Sequence, residues 1–169
     1  AGMGEKIPLL AEVLDLAIGR ATVNIELKGV GTGLAVGRFL QQRMGEKQSE
    51  NKLLASSLNE DELRTLATIL PNLPLALVAE QVDKHFWLLA NELGVWSVNV
   101  DKDSIDLDLS AAAERYGKKL LAFTVNDNQQ LQRLMALGVD GVFTDYLVDD
   151  VNMFQVAPIE LELPEGPRN

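Results

Sequence analysis

Three polar residues alternate with apolar ones in a short stretch near the start of the chain. Asn24, Glu26 and Lys28 are separated by Ile25 and Leu27, so in a strand their side chains would share one face. Polar groups on a buried face cost free energy unless a partner satisfies them. The stretch predicts either an internal Glu–Lys ion pair or a site for a metal ion or a phosphate, and the residues alone leave both open.

Other polar or aromatic residues end the later apolar stretches. They are Ser56, Ser57, Asn99, Asp101, Phe123, Asn126 and Asp145. An aromatic, an amide and a carboxylate at strand ends suit a small polar ligand. Each also has a structural explanation, because the serines could simply enter a loop, the phenylalanine could fill core, and Asn126, Asp127 or Asp145 could cap a following helix.

Two further features are weak indicators of chemistry. Residues 29–33, Gly-Val-Gly-Thr-Gly, lack the spacing of a dinucleotide fingerprint and the Lys-Ser/Thr of a P-loop. His85 is the single histidine and falls in a helical stretch, which favours a surface or packing role. One histidine and no cysteine exclude a Ser–His–Asp triad, thiolate sites and disulfides.

The elements that would position these residues follow from alternating apolar runs and amphipathic stretches. Strands are predicted at Thr22–Leu27, Lys52–Ser57, Leu75–Ala79, Val95–Val100, Lys119–Val125 and Val139–Thr144. Helices are predicted at Leu9–Ile18, Leu34–Gln42, Glu60–Leu70, Val82–Leu93, Leu109–Tyr116 and Gln129–Leu137. Gly94, Gly117 and Gly138 are placed as helix C-caps, and Asn59 as an N-cap. The pattern is α/β, with about six βα units.

Two architectures fit this pattern equally well, a doubly wound sheet and part of a (βα)₈ barrel. In both, sites form at the carboxyl ends of the parallel strands. A barrel needs eight strands and about 250 residues, whereas the chain has 169. The last stretch, residues 155–169, is proline-rich without helical periodicity and is predicted to be a loose tail.

The charge and hydropathy of the chain limit the classes of partner that it could bind. A net charge of -10 disfavours nucleic acid and anionic lipid, so an anionic ligand needs a local cation or metal ion. No apolar run approaches the roughly 20 residues that span a bilayer, and no signal peptide is visible. A cytoplasmic protein is expected, and a periplasmic one is also compatible with the sequence.

Five segments resemble motifs of bacterial glycerophosphodiester phosphodiesterases, in family order from about residue 5 to about residue 150. Residues 7–14 resemble the motif I-P-x-L-x-E-V-L, and residues 23–28 resemble the strand N-I-E-[IL]-K. Residues 54–58 are similar to the S-S-F strand, residues 123–126 to W-T-V-N, and residues 138–146 to the closing motif G-V-D-G-[IV]-x-T-D-Y. Leu58 stands where the family usually has an aromatic residue, and Phe123 stands where it has tryptophan. The alternative is an unrelated α/β sheet with chance matches.

The resemblance implies an incomplete (βα)₈ TIM barrel over residues 1–154 and hydrolysis of glycerophosphodiesters to glycerol 3-phosphate and an alcohol. It also implies a divalent cation, Mg²⁺ or Ca²⁺, and two catalytic histidines. Glu26 matches the metal-ligating glutamate. Lys28 matches the lysine that faces the phosphate, and Phe123 takes the place of an aromatic residue near the glycerol or the headgroup of the substrate. Asn126 and Asp145 fall in the closing motifs, which the resemblance implies bind substrate.

The family's H-R-G, E-N-T, E-x-D and H-D segments do not occur in this chain. We therefore expect a fragment or truncated form with no catalytic residue of its own, weak cation binding and no turnover. Open barrel edges are expected to be covered by a second copy or by a missing N-terminal segment. The alternative is a non-catalytic module of the same family that binds a phosphate ligand or regulates.

Overall fold

The computed structural model describes residues 4, 6–17, 19–46, 52–146 and 163. The strands are β1 (Val23–Glu26), β2 (Leu53–Ser57), β3 (Leu75–Ala79), β4 (Ser97–Asp101), β5 (Lys119–Phe123) and β6 (Gly141–Val142). The helices are α1 (Leu10–Ala17), α2 (Thr32–Glu46), α3 (Glu60–Ile69), α4 (Lys84–Glu92), α5 (Leu107–Arg115) and α6 (Asn128–Ala136), with a short 3-10 helix at Lys102–Ser104. Each predicted element is present, with its ends moved by a few residues.

The six strands form one parallel sheet in the order β1-β2-β3-β4-β5-β6. The sheet curls into a half-barrel, which confirms the prediction of an incomplete (βα)₈ barrel. Among the described strands, β1 pairs with β2 and β6 with β5, so each is an edge. Their predicted covering by another copy or segment stays a prediction. The predicted tail and its boundary lie outside the described residues, apart from Leu163.

The main core lies between the convex face of the sheet and the helices. Leu75, Leu77, Val98 and Val100 alternate along the central strands and pack in one buried cluster with helix residues such as Leu66. The opposite face carries a smaller buried apolar set: Leu54, Ala76, Val78 and Leu121. Polar residues continue that inner face towards the carboxyl ends of the strands, so the sheet supplies an apolar floor beneath a polar rim.

Helix ends follow the caps that the sequence predicts. The Asn59 side chain accepts a hydrogen bond from the Asp61 N–H at 3.0 Å at the start of α3. Asp127 caps α6 by accepting from the Gln130 N–H at 2.8 Å, so the cap at this helix is Asp127 and not Asn126. Gly117 and Gly138, beyond α5 and α6, have φ values of 62° and 84°, the left-handed region that favours glycine.

The start of α2 lies against the first turn of α3 too closely to admit a side chain at Gly33. A Cβ there would overlap the Glu62 backbone oxygen. Gly33→Ala is expected to lower the thermal unfolding midpoint by roughly 3–10 °C, because backbone must move to relieve the overlap.

Gly37→Ala is the matched control for that substitution. Its Cβ would meet the Ile69 Cδ1 at 2.7 Å, which is the end of a flexible side chain, and alanine also favours the helix by about 1 kcal/mol over glycine. Thermal unfolding followed by circular dichroism compares the two variants. Equal midpoints would contradict the close contact between the helix backbones.

Candidate functional site

A cleft opens at the carboxyl ends of the strands, where sites form in parallel α/β folds. It has a volume of about 320 Å³ and is lined by Asn24, Glu26, Lys28, Ser56, Leu58, Val78, Glu80, Asn99, Phe123, Thr124 and Phe143. Each of the six strands contributes at least one of these residues, at or just beyond its carboxyl end. Two larger cavities lie elsewhere: one of about 420 Å³ is lined by α4, α5 and the loops before them, and one of about 500 Å³ by α5, the start of β5 and the loop before β6. They lack the strand-end residues that the sequence singles out.

Glu26 and Lys28 form an ion pair across the mouth of this cleft. The Lys28 Nζ lies 3.2 Å from the Glu26 Oε2, and the two side chains are 75% and 36% exposed respectively. An ion pair this exposed contributes little to stability. The pair predicted from the sequence therefore exists, yet Lys28 can turn to an anionic ligand at small cost.

The two serines at the end of β2 have different roles. The Ser57 hydroxyl donates to the Leu27 backbone oxygen at 2.6 Å and accepts from the Asn59 N–H at 2.9 Å. It therefore ties the end of β1 to the start of the loop after β2. Ser56 is also buried but lines the cleft, so of the two it is the candidate for ligand contact.

Two aromatic side chains form one wall of the cleft. Phe123, at the end of β5, was predicted from the sequence, and Phe143 joins it from just beyond β6. The backbone of Phe143 extends the sheet by donating to the Ala122 oxygen and accepting from the Val125 N–H, both at 2.8 Å. The wall suits the apolar carbons of a small ligand.

The sequence reasoning missed Phe143 and also Glu80. Glu80 follows the last residue of β3 and is exposed at the cleft. The signal in the sequence that marks Glu80 is its position directly after the third apolar run. Phe143 occupies the variable position of the closing motif, where the pattern carries no signal for a ligand contact.

Asn126 and Asp145 are brought together, but neither lines the cleft. The Asn126 Nδ2 donates to the Asp145 Oδ2 at 2.7 Å, and its Oδ1 accepts from the Asp145 N–H at 3.0 Å and the Thr144 hydroxyl at 3.2 Å. The pair clamps the loop after β5 to the loop after β6. Their predicted contact with substrate stays a prediction.

The glycine-rich residues 29–33 are occupied by a carboxylate of the protein itself. Glu62, which is buried, accepts from the Gly31 N–H at 2.8 Å and the Gly33 N–H at 2.6 Å, with the Thr32 hydroxyl 3.5 Å away. The hydrogen bonds from Gly33 and Gly31 lower the pKa of Glu62 below the usual range of a glutamate. An internal anion thus fills the place where a phosphate would bind the start of α2.

His85 lies outside the cleft. Its side chain is 70% exposed on α4, and its Nε2 lies 3.3 Å from the Glu60 Oε2. Arg64 donates to Glu60 at 2.7 Å and, as the main cause, lowers the pKa of that carboxyl group. The histidine lies on the surface beside the Glu60–Arg64 ion pair, which is one of the two roles that the sequence favours.

The described residues do not by themselves build a metal centre. They contain no group of three or more histidine, aspartate or glutamate side chains placed to hold an ion. Glu26 and Glu80 are the two carboxylates that line the cleft. A divalent cation favours six or more oxygen ligands, so these residues could supply only part of its coordination.

Of the helices described above, none has the length and apolar character that crossing a bilayer requires.

A family profile described as the glycerophosphoryl diester phosphodiesterase family matches residues 5–148. A glycerophosphodiester phosphodiesterase from Caldanaerobacter subterraneus is 30% identical over 145 residues, which cover 84% of this chain and 59% of that protein. A second, from Bacillus altitudinis, is 28% identical over 145 residues, with 83% and 59% covered. The chain thus spans about three-fifths of the length of these relatives.

Solved structures share the fold. A phosphodiesterase from Oleispira antarctica, solved in complex with the product sn-glycerol-3-phosphate, superposes with a TM-score of 0.64 at 24% identity, covering 73% of this chain and 51% of that one. Like the profile match, this likeness argues against an unrelated open sheet with chance motifs.

Proposed function

Because the chain belongs to the glycerophosphoryl diester phosphodiesterase family, we propose that its protein hydrolyses glycerophosphodiesters to glycerol 3-phosphate and an alcohol. The observation that carries the proposal is the cleft, where Lys28 and Glu26 occupy the positions of the family's N-I-E-[IL]-K strand. The chain covers 59% of its relatives' length, so the activity is proposed for the whole protein and only part of the site for this chain.

The roles of the cleft residues follow from their chemistry. Lys28 would neutralise the charge of a phosphodiester oxygen. Because the chain has a net charge of -10, an anionic ligand needs a local cation of this kind. Phe123 and Phe143 would pack against the glycerol carbons or the headgroup. The product bound in the Oleispira antarctica structure supports a ligand of this class.

A divalent cation, Mg²⁺ or Ca²⁺, belongs to the proposal through Glu26. The carboxylate is at the mouth of the cleft and is exposed enough to bind an ion. When bound, such a cation would neutralise charge on the phosphate. The described residues contain no cluster of three or more acidic or histidine side chains that could complete its coordination.

A second candidate is a non-catalytic module that binds a phosphate ligand or regulates. It is favoured by the position of His85, the single histidine, outside the cleft. Both candidates require the cleft to bind a phosphate through Lys28, and they differ in turnover.

Lys28→Met is expected to weaken binding of sn-glycerol 3-phosphate roughly 10- to 100-fold, because it removes a charged hydrogen bond to the phosphate. The measurement is an NMR titration of the 169-residue chain. Lys84→Met, at an exposed lysine on α4, is the matched control. Equal affinities for the wild type and Lys28→Met would overturn the assignment of this cleft.

A further inference from the structure

Asn24 has a buried acceptor that the protein does not use. It lies on the same face of β1 as Glu26, one pleat deeper in the cleft. Its Oδ1 is buried and has no hydrogen-bond partner within the part of the chain that the structure describes. An acceptor in this state destabilises the folded chain, so its retention needs an explanation.

The sheet elsewhere satisfies a comparable group. Asn99 is buried on β4 and lines the same cleft, and its Oδ1 accepts from the Ser97 hydroxyl at 3.0 Å. A neighbouring strand residue with a hydroxyl is therefore enough to satisfy an amide on this face. Thr22 occupies the corresponding position two residues before Asn24, but it precedes β1 and the Asn24 Oδ1 receives no hydrogen bond from it. The partner of Asn24 in the register with β2 is the apolar Leu54.

The cleft residues from β1 and the residues that follow it are of two kinds: Asn24 carries a neutral amide, whereas Glu26 and Lys28, nearer the mouth, are charged. The ion pair places the Lys28 ammonium 3.2 Å from the Glu26 carboxylate, and Asn24 lies two residues before Glu26 on the same face of β1. Two residues of a strand rise by roughly 6.6 Å, a length comparable to that of a three-carbon polyol phosphate. A ligand with its phosphate at Lys28 would therefore direct its hydroxyl end towards Asn24.

We propose that Asn24 is a ligand-binding residue whose amide oxygen accepts a hydrogen bond from a hydroxyl of the glycerol moiety. This assignment rests on the proposed function and deepens it, because the cleft would then recognise the polyol part of the ligand as well as its phosphate. Rotation about the Cβ–Cγ bond exchanges the amide oxygen and nitrogen, so the oxygen can meet a donor that enters from the cleft. Phe123 then packs on the ligand carbons between the two polar ends.

The first arm of the test is stability without ligand. Asn24→Leu replaces the unused amide by an apolar group of similar size, so the thermal unfolding midpoint is expected to stay equal or rise by a few degrees. Asn99→Leu is the matched variant, and its midpoint is expected to fall because the Ser97 hydroxyl loses its partner. A similar fall in both variants would overturn the proposal by giving Asn24 a structural role.

The second arm is selectivity between two ligands in NMR titrations of the full chain. Asn24→Leu is expected to weaken sn-glycerol 3-phosphate roughly 3- to 10-fold, the effect of one neutral hydrogen bond, and to leave inorganic phosphate unchanged. Asn24→Ala repeats the measurement if leucine prevents folding. Asn128→Leu removes the other unpartnered Oδ1 among the described residues, outside the cleft, and is expected to change neither affinity.

Three outcomes would overturn the proposal. The first is no selective loss for glycerol phosphate in Asn24→Leu, while phosphate binding still depends on Lys28. The second is an equal loss for both ligands, or a loss of Ca²⁺ affinity, which would assign Asn24 to the phosphate or to a cation. The third is that the wild-type chain binds neither ligand, in which case the proposed function of this cleft fails as well.

Discussion

The 169-residue chain is expected to show no measurable turnover of glycerophosphocholine in the presence of Mg²⁺ or Ca²⁺. The resemblance to the family implies two histidines as general acid and base, and the chain contains one. That residue, His85, is exposed on α4 beside Glu60 and does not line the cleft. Loss of each general acid or base costs on the order of 10²–10⁴-fold. The measurement is choline or glycerol 3-phosphate release by the purified chain.

The control is the Caldanaerobacter subterraneus relative in the same assay. Comparable rates for the two proteins would contradict the prediction. They would point to Glu26 or Glu80, the carboxylates of the cleft, as proton-transfer groups. Glu26→Gln or Glu80→Gln would then abolish the rate and identify the group. Absence of turnover together with Lys28-dependent phosphate binding is the expected combination.

The fold was predictable because its signals are local. Apolar runs bounded by helix caps locate all six strands, and period-two alternation places Glu26 and Lys28 at the same mouth. The ends of elements are less well predicted. Strand β6 is limited to Gly141–Val142, which pair with Leu121 and Ala122, although a strand is predicted from residue 139 to 144. Backbone hydrogen bonds of Phe143 to Ala122 and Val125 continue the contact with β5 beyond the assigned strand.

The site was only partly predictable because it depends on which segments meet. Asn126 and Asp145 each end an apolar run, but only the pairing of β5 with β6 shows that they bond to one another. In the sequence, Glu62 is one of three consecutive acidic residues at the start of a predicted helix. Its contact with Gly31 and Gly33 joins residues about thirty positions apart, and no period or motif marks such a pair.

Glu62→Ala is expected to lower the thermal unfolding midpoint by roughly 5–10 °C. The substitution removes the acceptor of the Gly31 and Gly33 N–H groups at the start of α2, and the Gly33 N–H is buried, so water does not readily replace the lost carboxylate there. Asp61→Asn is the control, because Asp61 is the exposed acid next to it on α3. Thermal unfolding at pH 7 by circular dichroism or calorimetry compares the variants.

The same contact should make part of the stability sensitive to acid. Hydrogen bonds from Gly33 and Gly31 lower the pKa of Glu62 in the folded chain, so its contribution is complete above the unfolded value of about 4.3. That contribution is lost as pH falls through the lower folded pKa. The wild type is therefore expected to exceed Glu62→Gln in unfolding midpoint at pH 7, with a difference that narrows towards pH 3. A difference that is constant with pH would show that the charge of Glu62 does not hold the start of α2.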